Sequence, residues 1–462
     1  MVKPNLGILI KPVSYDCNMA CSYCYYRPVE TLYPGVRRPR MSAQTFDAVC
    51  TQYRALHPAE FKISWQGGEP TLMGLEFFEQ AVETERRHAR RGECIGNSLQ
   101  TNGAVLDDRW CRFLAANRFL VGLSLDGPPD LNVTRRFPDG RPVYEVTMRA
   151  MELLKKHRVE FNILTVISKA NVAHPRRVFQ FLLDNDLHYA QFIPCTEPGG
   201  RPGRLSPDSV TAAEYAEFMI GIFDAWVEND DPSYYVRHID NWLHLFFDLP
   251  PESCEYKGDC SRLLTVEWNG DVYPCDFFVD RAHRLGSVLD QTLEQMLRGQ
   301  TFRAFVKEAG RAPGVCKGCE WFGYCRGGCY RHRGKLGVAP DAAPFLCEAN
   351  KRIFAHAFSR LRRIKERQAP SGPGTERTKV PRLHAFLSMI QEQIAAGASG
   401  GSGTAARAGQ AMSGADTWPG RALPRRQEAR RGASQRNEPC PCGSGKKLKH
   451  CCGKVAGTSR GR

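Results

Sequence analysis

Cys17, Cys21 and Cys24 stand in the run Cys17-Asn18-Met19-Ala20-Cys21-Ser22-Tyr23-Cys24, a C-x3-C-x2-C spacing. A 4Fe–4S cube takes four thiolates, so three on one short loop leave one iron without a protein ligand. An open iron can bind and reduce a small molecule. A zinc loop or buried structural cysteines are the plainer readings of the same residues. A second group comprises Cys254, Cys260, Cys275, Cys316, Cys319, Cys325, Cys329 and Cys347. It reads C-x5-C-x14-C, then C-x2-C-x5-C-x3-C, with the last cysteine after seventeen more residues. Eight thiolates suffice for two fully ligated clusters, suited to passing electrons, or for two structural zinc sites. Near the end, Cys440, Cys442, Cys451 and Cys452 form two pairs of soft ligands around a tight loop, with His450 as a substitute for one of the last two. That donor set suits tetrahedral zinc, and so small a segment needs metal to fold.

The first motif, with Gly67-Gly68-Glu69-Pro70 downstream at the end of an expected strand, resembles the radical S-adenosylmethionine (SAM) enzymes. The resemblance implies that the open iron holds the amino and carboxylate groups of SAM and that the Gly67–Pro70 loop binds its amino group. It also implies that Tyr26 lies beside the adenine and that Ser124 and Arg136 hold the ribose or carboxylate. Arg135 adjoins Arg136 and offers the same bidentate fork. The eight-cysteine region resembles the SPASM auxiliary domain of peptide-modifying radical SAM enzymes. By that resemblance Cys254, Cys260, Cys275 and Cys329 ligate the nearer cluster, and Cys316, Cys319, Cys325 and Cys347 the outer one, three 4Fe–4S clusters in all.

Within that group, Cys275-Asp276-Phe277-Phe278 most resembles the anaerobic sulfatase-maturating enzymes, over about residues 5–365. The implied reaction oxidises one Cys or Ser of a sulfatase polypeptide to Cα-formylglycine. An external donor reduces the first cluster, SAM gives a 5′-deoxyadenosyl radical that takes a hydrogen from the substrate Cβ, and the second electron leaves through the auxiliary clusters. Asp276 is the implied general base. Flanked by Phe277 and Phe278, it is expected to be partly desolvated, which raises a carboxyl pKa. Gln66 and the run Gln191–Cys195 resemble the family's substrate cavity. The tail is nearly identical to the SEC-C motif at the end of the translocation ATPase SecA, which implies Zn2+ and a protein partner.

These residues need a frame. Up to about residue 235, β-rich runs alternate with helical patterns: strands at Gly7–Val13, Phe61–Trp65, Ser98–Thr101, Leu120–Leu125, Phe161–Ile167 and Ala190–Ile193, and helices after Ser42 and at Glu76–Ala89, Asp107–Asn117, Tyr144–His157 and Pro175–Asp184. Repeated βα units predict an α/β fold with a parallel sheet and ligands at the carboxyl ends of its strands. Six units predict a partial (β/α)6 barrel. Residues 236–370 then form the cysteine-rich SPASM domain, beginning with a hairpin at Leu263–Cys275 and ending in a basic helix at Glu348–Gln368. Residues 371–430 read as a flexible basic linker with one short helix at Leu383–Ala396, and 431–462 as the zinc-binding tail.

The net charge of +15 resides mostly in the tail: residues 371–462 carry +11 and the other 370 only +4. The basicity therefore says little about what the catalytic body binds, and nucleic acid is expected at most as a weak ligand of the tail. With no export signal, no membrane-spanning run and nineteen cysteines mostly in metal-ligand spacings, the chain is expected in a reducing cytoplasm. Two other functions fit parts of the sequence. One is a maturase that crosslinks a ribosomal peptide on the same scaffold; the other is an adaptor whose tail holds sulfatases with little catalysis.

Overall fold

The computed structural model describes residues 6–90, 92–93, 95–199, 204–334, 342–366 and 382–398. Six strands, each followed by a helix, make the first part of the chain: β1 (Gly7–Lys11), α1 (Ala43–Ala55), β2 (Phe61–Trp65), α2 (Leu75–His88), β3 (Ile95–Thr101), α3 (Asp108–Ala116), β4 (Phe119–Ser124), α4 (Tyr144–Lys156), β5 (Glu160–Ile167), α5 (Pro175–Asp184), β6 (Tyr189–Pro194) and α6 (Ala212–Asn229). All six strands are parallel, as the βα alternation predicts. Their ends are set locally. Ser42 Oγ accepts the Thr45 amide at 3.0 Å to start α1, and Asp107 caps α3 through the Trp110 amide at 2.8 Å.

Alternation along each strand sorts the two faces. In β2, Phe61, Ile63 and Trp65 are buried against the helices, where the Trp65 ring meets Phe46 and Phe78, each at 5.1 Å between centroids. Burying a phenylalanine like Phe78 contributes about 1.5–3 kcal/mol. The other face is polar: Ser64 and Ser98 pair at 2.9 Å, and Gln100 donates to Ser124 at 2.8 Å. The barrel lumen is thus lined for a polar guest.

The sheet does not stop at six strands. β7 (Tyr235–Val236) adds in parallel to β6 and leads into α7 (Arg237–Phe246) and the short α8 (Cys254–Lys257). The expected hairpin forms as β8 (Leu263–Glu267) and β9 (Asp271–Tyr273), with β10 (Gly286–Ser287) antiparallel to β9. β8 pairs in parallel with β1 over five residues, so the strand order is β10-β9-β8-β1-β2-β3-β4-β5-β6-β7. The two expected domains therefore share one open sheet, and a boundary after residue 235 would cut β7. Helices α9 (Leu293–Arg298), α10 (Gln300–Gly310), α11 (Phe322–Cys325), α12 (Arg331–Gly334) and α13 (Cys347–Glu366) carry the rest of the cysteine-rich region.

The linker expectation needs correction. Residues Arg382–Ala398 form α14, longer than expected and docked on the body. Leu383, Phe386, Leu387 and Ile390 are buried, and both Asp230 carboxylate oxygens accept amides of α14, from Arg382 and Leu383 at 2.9 Å each. The remainder of 371–430 and the tail cysteines Cys440, Cys442, Cys451 and Cys452 lie outside the described residues. Among the described residues, no helix is long and apolar enough to cross a membrane.

Candidate active site

β1 delivers the chain to the cysteine loop, which is clamped from two sides. The loop after β2 crosses it closely: Glu69 N donates to Asp16 O at 2.9 Å, and Gly68 N donates to Ser14 O. Gly67 has φ +136°, and a Cβ on Gly68 would fall inside the Asp16 carbonyl. Glycine here therefore serves an approach of chain to chain. On the other side, Ala20 N donates to Arg136 O at 2.8 Å and Ser22 N to Thr134 O at 3.3 Å. Burial pushes the Cys17 and Cys21 thiols up, so as free groups they would keep their protons. With Cys24 on the same clamped loop, these sulfurs fit a metal cluster, which would stabilise them as thiolates.

The residues expected to hold SAM are distributed unevenly around this loop. The Glu69 carboxylate is fully buried and accepts from Thr71 N and Oγ1, Thr101 Oγ1 and Asn102 N at 2.6–3.1 Å. It ties the β2 and β3 loops together, and with the Gly68 and Glu69 amides already donating to Ser14 and Asp16, a ligand here would meet the carbonyls of Gly67 and Gly68. Ser124 ends β4 on the lumen face. Tyr26 is buried, donates to Glu267 of β8, and has Lys11 Nζ 4.1 Å above its ring. Arg136 departs from expectation: its guanidinium is exposed and donates to the Val133 and Gly140 carbonyls, because the chain there turns its neighbour inward. Arg135 is the buried arginine, paired with Asp126.

Asp276 sits between the cysteine loop and the SPASM region. Tyr25 OH donates to its Oδ2 at 3.0 Å, and Lys11 Nζ stands 4.0 Å away. Lys11, wholly buried at the end of β1, also donates to Gln66 Oε1 at 2.9 Å. Desolvation lowers its pKa, opposed by Asp276. Asp276 is partly desolvated as expected, its side chain 14% exposed, but the two phenylalanines do not enclose it together. Phe277 packs on Tyr25 and under the Arg331 guanidinium, and Phe278 turns away to stack on Tyr330. Beside this group lies a cavity of about 240 Å³, lined by Gln191, Arg237, Glu255, Phe277 and Arg331 among others. Arg331 pairs with Glu197, and burial lowers its pKa to about 10. Cys195 is a buried packing residue near Ser209. Sequence reasoning missed Lys11, Tyr25 and Arg331. A lysine closing an otherwise apolar strand, Gly7-Ile8-Leu9-Ile10-Lys11, was the one available signal.

The eight later cysteines separate into two sets. Cys316, Cys319, Cys325 and Cys347 line one hollow of about 260 Å³. Cys254 and Cys329 line the central cavity, and Cys275 and Cys260 lie close enough to interact with them electrostatically. Among the described residues, no three Cys, His, Asp or Glu side chains converge as they would on a single ion.

Comparison with known proteins finds matches to three regions of the chain. The Radical SAM superfamily model matches residues 12–182, an iron-sulfur cluster-binding domain (SPASM) matches 258–320, and the SEC-C motif matches 436–454. A cysteine-type anaerobic sulfatase-maturating enzyme of Clostridium perfringens is 35% identical over 361 residues, covering 78% of this chain and 98% of the relative. A serine-type enzyme of Bacteroides thetaiotaomicron is 31% identical over 390 residues, covering 79% and 94%. The solved structure of native anSMEcpe with bound AdoMet superposes with a TM-score of 0.72 at 34% identity, covering 78% of this chain and 99% of that one.

Proposed function

The chain belongs to the anaerobic sulfatase-maturating enzymes, a branch of the radical SAM enzymes, and we infer from this premise that it oxidises a Cys or Ser of a sulfatase polypeptide to Cα-formylglycine. The observation that carries the assignment to this site is Asp276, joined to Tyr25 and Lys11 at the border of the cysteine loop and the central cavity. Cys17, Cys21 and Cys24 hold the SAM-binding cluster, and the Gly67–Glu69 backbone and Ser124 position SAM. Held there, SAM and its cluster would supply the radical chemistry at the target Cβ, and the eight later cysteines would hold auxiliary clusters suited to carrying electrons.

The chain's own residues govern the rest. The cavity lined by Gln191, Arg237 and Phe277 takes the target side chain. Asp276 accepts the thiol or hydroxyl proton. Tyr25 orients the carboxylate through its 3.0 Å hydrogen bond, and buried Lys11 balances the carboxylate's charge. In the tail, Cys440, Cys442, Cys451 and Cys452 hold Zn2+ in a module that contacts a protein partner, and an external donor supplies the first electron. Thiolate–metal chemistry on this scale suits a reducing cytoplasm.

The test is mass spectrometry of a Cys- or Ser-x-Pro-x-Arg peptide after anaerobic incubation with reconstituted enzyme, SAM and reductant. A new aldehyde at the first position is the expected product, and the faster peptide identifies the preferred target. SAM cleavage with no peptide change would favour a crosslinking maturase instead. Absence of both would leave an adaptor.

A further inference from the structure

Arg331 has no part in the proton transfer or the electron path, yet it is pinned on the wall of the central cavity. Its side chain is only 6% exposed and pairs with Glu197 of the loop after β6. The guanidinium lies 4.1 Å from the centroid of the Phe277 ring and 5.7 Å from that of Tyr25. Next to it on α12, His332 Nε2 stands 3.2 Å from Thr196 Oγ1, so the same loop is fastened at a second point.

One nitrogen, Nη2, serves Glu197. Among the described residues the other guanidinium nitrogens have no hydrogen-bond partner, and neither is shut away from open space. Arg331 lines the central cavity, so those donors open into it. Arg237 lines the same space, its Nη1 donating to Gln191 Oε1 at 3.1 Å, and Glu255 is the carboxylate on that wall. With two guanidiniums against one carboxylate, the wall favours a guest that offers acceptor oxygens.

A Cys- or Ser-x-Pro-x-Arg target varies at each x, and the acceptors present in every such sequence are main-chain carbonyls. The target residue's carbonyl carbon is two bonds from its Cβ. Phe277, on which the guanidinium lies, is the chain neighbour of Asp276. A Cβ brought to the base therefore brings its own carbonyl towards Arg331. We propose that Arg331 is a substrate-binding residue whose open guanidinium edge donates to a main-chain carbonyl of the target polypeptide at or beside the oxidised residue, holding the target Cβ in place. The proposal rests on the reading that this cavity takes the target of a sulfatase-maturating enzyme. A charge-assisted hydrogen bond of this kind is stronger than a neutral one, and its partner is the same whatever the side chains of the target.

The experiment measures aldehyde formation against peptide concentration with the reconstituted full chain, SAM and reductant. Arg331→Met, with wild-type iron content, should raise the peptide KM about ten- to hundredfold and change kcat far less. The increase should be the same for peptides with Ala or Glu at the first x; an increase confined to the Glu peptide means a side-chain contact and overturns the proposal. Glu197→Gln keeps an acceptor for Nη2 and leaves the cavity edge of the guanidinium intact, so it should raise KM much less. Equal increases in the two variants would reduce Arg331 to a fastener of the loop after β6 and overturn the proposal, as would an unchanged KM in Arg331→Met. Should Arg331→Met lose iron, Arg331→Lys is measured instead. Its single ammonium is engaged by Glu197, so KM should still rise, and a wild-type KM overturns the proposal. A wild-type chain that cleaves SAM and forms no aldehyde defeats the underlying reading and the proposal with it, a result distinct from a wild-type KM in a variant.

Discussion

At Gly68 the main chain of one loop runs against the Asp16 carbonyl of the other, with no room for a methyl group. Gly68→Ala should displace the cysteine loop and cost the protein its first cluster, seen as a loss of about a third of bound iron with the auxiliary signals retained. Asp276→Asn keeps the Tyr25 contact but removes the base. SAM cleavage should persist while peptide oxidation falls by about 10²–10⁴-fold, measured on the same samples; unchanged oxidation would remove Asp276 from the mechanism. Glu85 offers a pH signature. Its carboxyl is buried, accepts from Asn97 at 2.6 Å, and is pushed up to about 8 by burial. The folded state then holds a proton that the unfolded chain releases above its ordinary pKa. Its contribution to stability is complete below about pH 4.5 and fades as pH rises towards 8. Glu85→Gln should match wild type in thermal unfolding at pH 5 and exceed it at pH 8. The first candidate ligand set, Cys17, Cys21 and Cys24, stands out in the sequence because its spacing is local. Lys11, Tyr25 and Arg331 do not, because their partner Asp276 or Phe277 lies far along the chain, and no spacing rule connects them.

Most elements were readable from period and caps: Phe61–Trp65 and Pro175–Asp184 match the expected bounds, and Ser42 and Asp107 start their helices. What escaped was pairing. Nothing in Leu263–Glu267 announces that it will lie parallel to β1, since an apolar strand edge is chemically alike wherever it docks. The docking of α14 was also hidden, because its cap is Asp230, contributed from the end of α6, about 150 residues earlier. Asp230→Ala should weaken that attachment by about 0.5–2 kcal/mol. Hydrogen exchange should then rise in 382–398 and leave β1–β6 unchanged; uniform exchange across the molecule would contradict a local role for the cap.

For the whole molecule, α14 moves the edge of the folded body. A chain ending at residue 398 should turn over short peptides as the full chain does. A chain ending at 366 leaves uncovered the surface that Leu383, Phe386, Leu387 and Ile390 bury, and should melt lower and aggregate. Thermal scans and peptide turnover of the two truncations check this. The β1–β8 pairing has a consequence of timing. β1 is made first, yet one of its two edges waits for a strand that begins at Leu263. At about 5–20 residues per second, the ribosome takes roughly 13–50 s to supply it. During that interval the strand carrying the cysteine loop is bare on one side, a template for stray strands. Iron loaded into the half-made chain would rest on an unfinished floor, so the order of events in the cell should be synthesis first, sheet closure second and cluster delivery last.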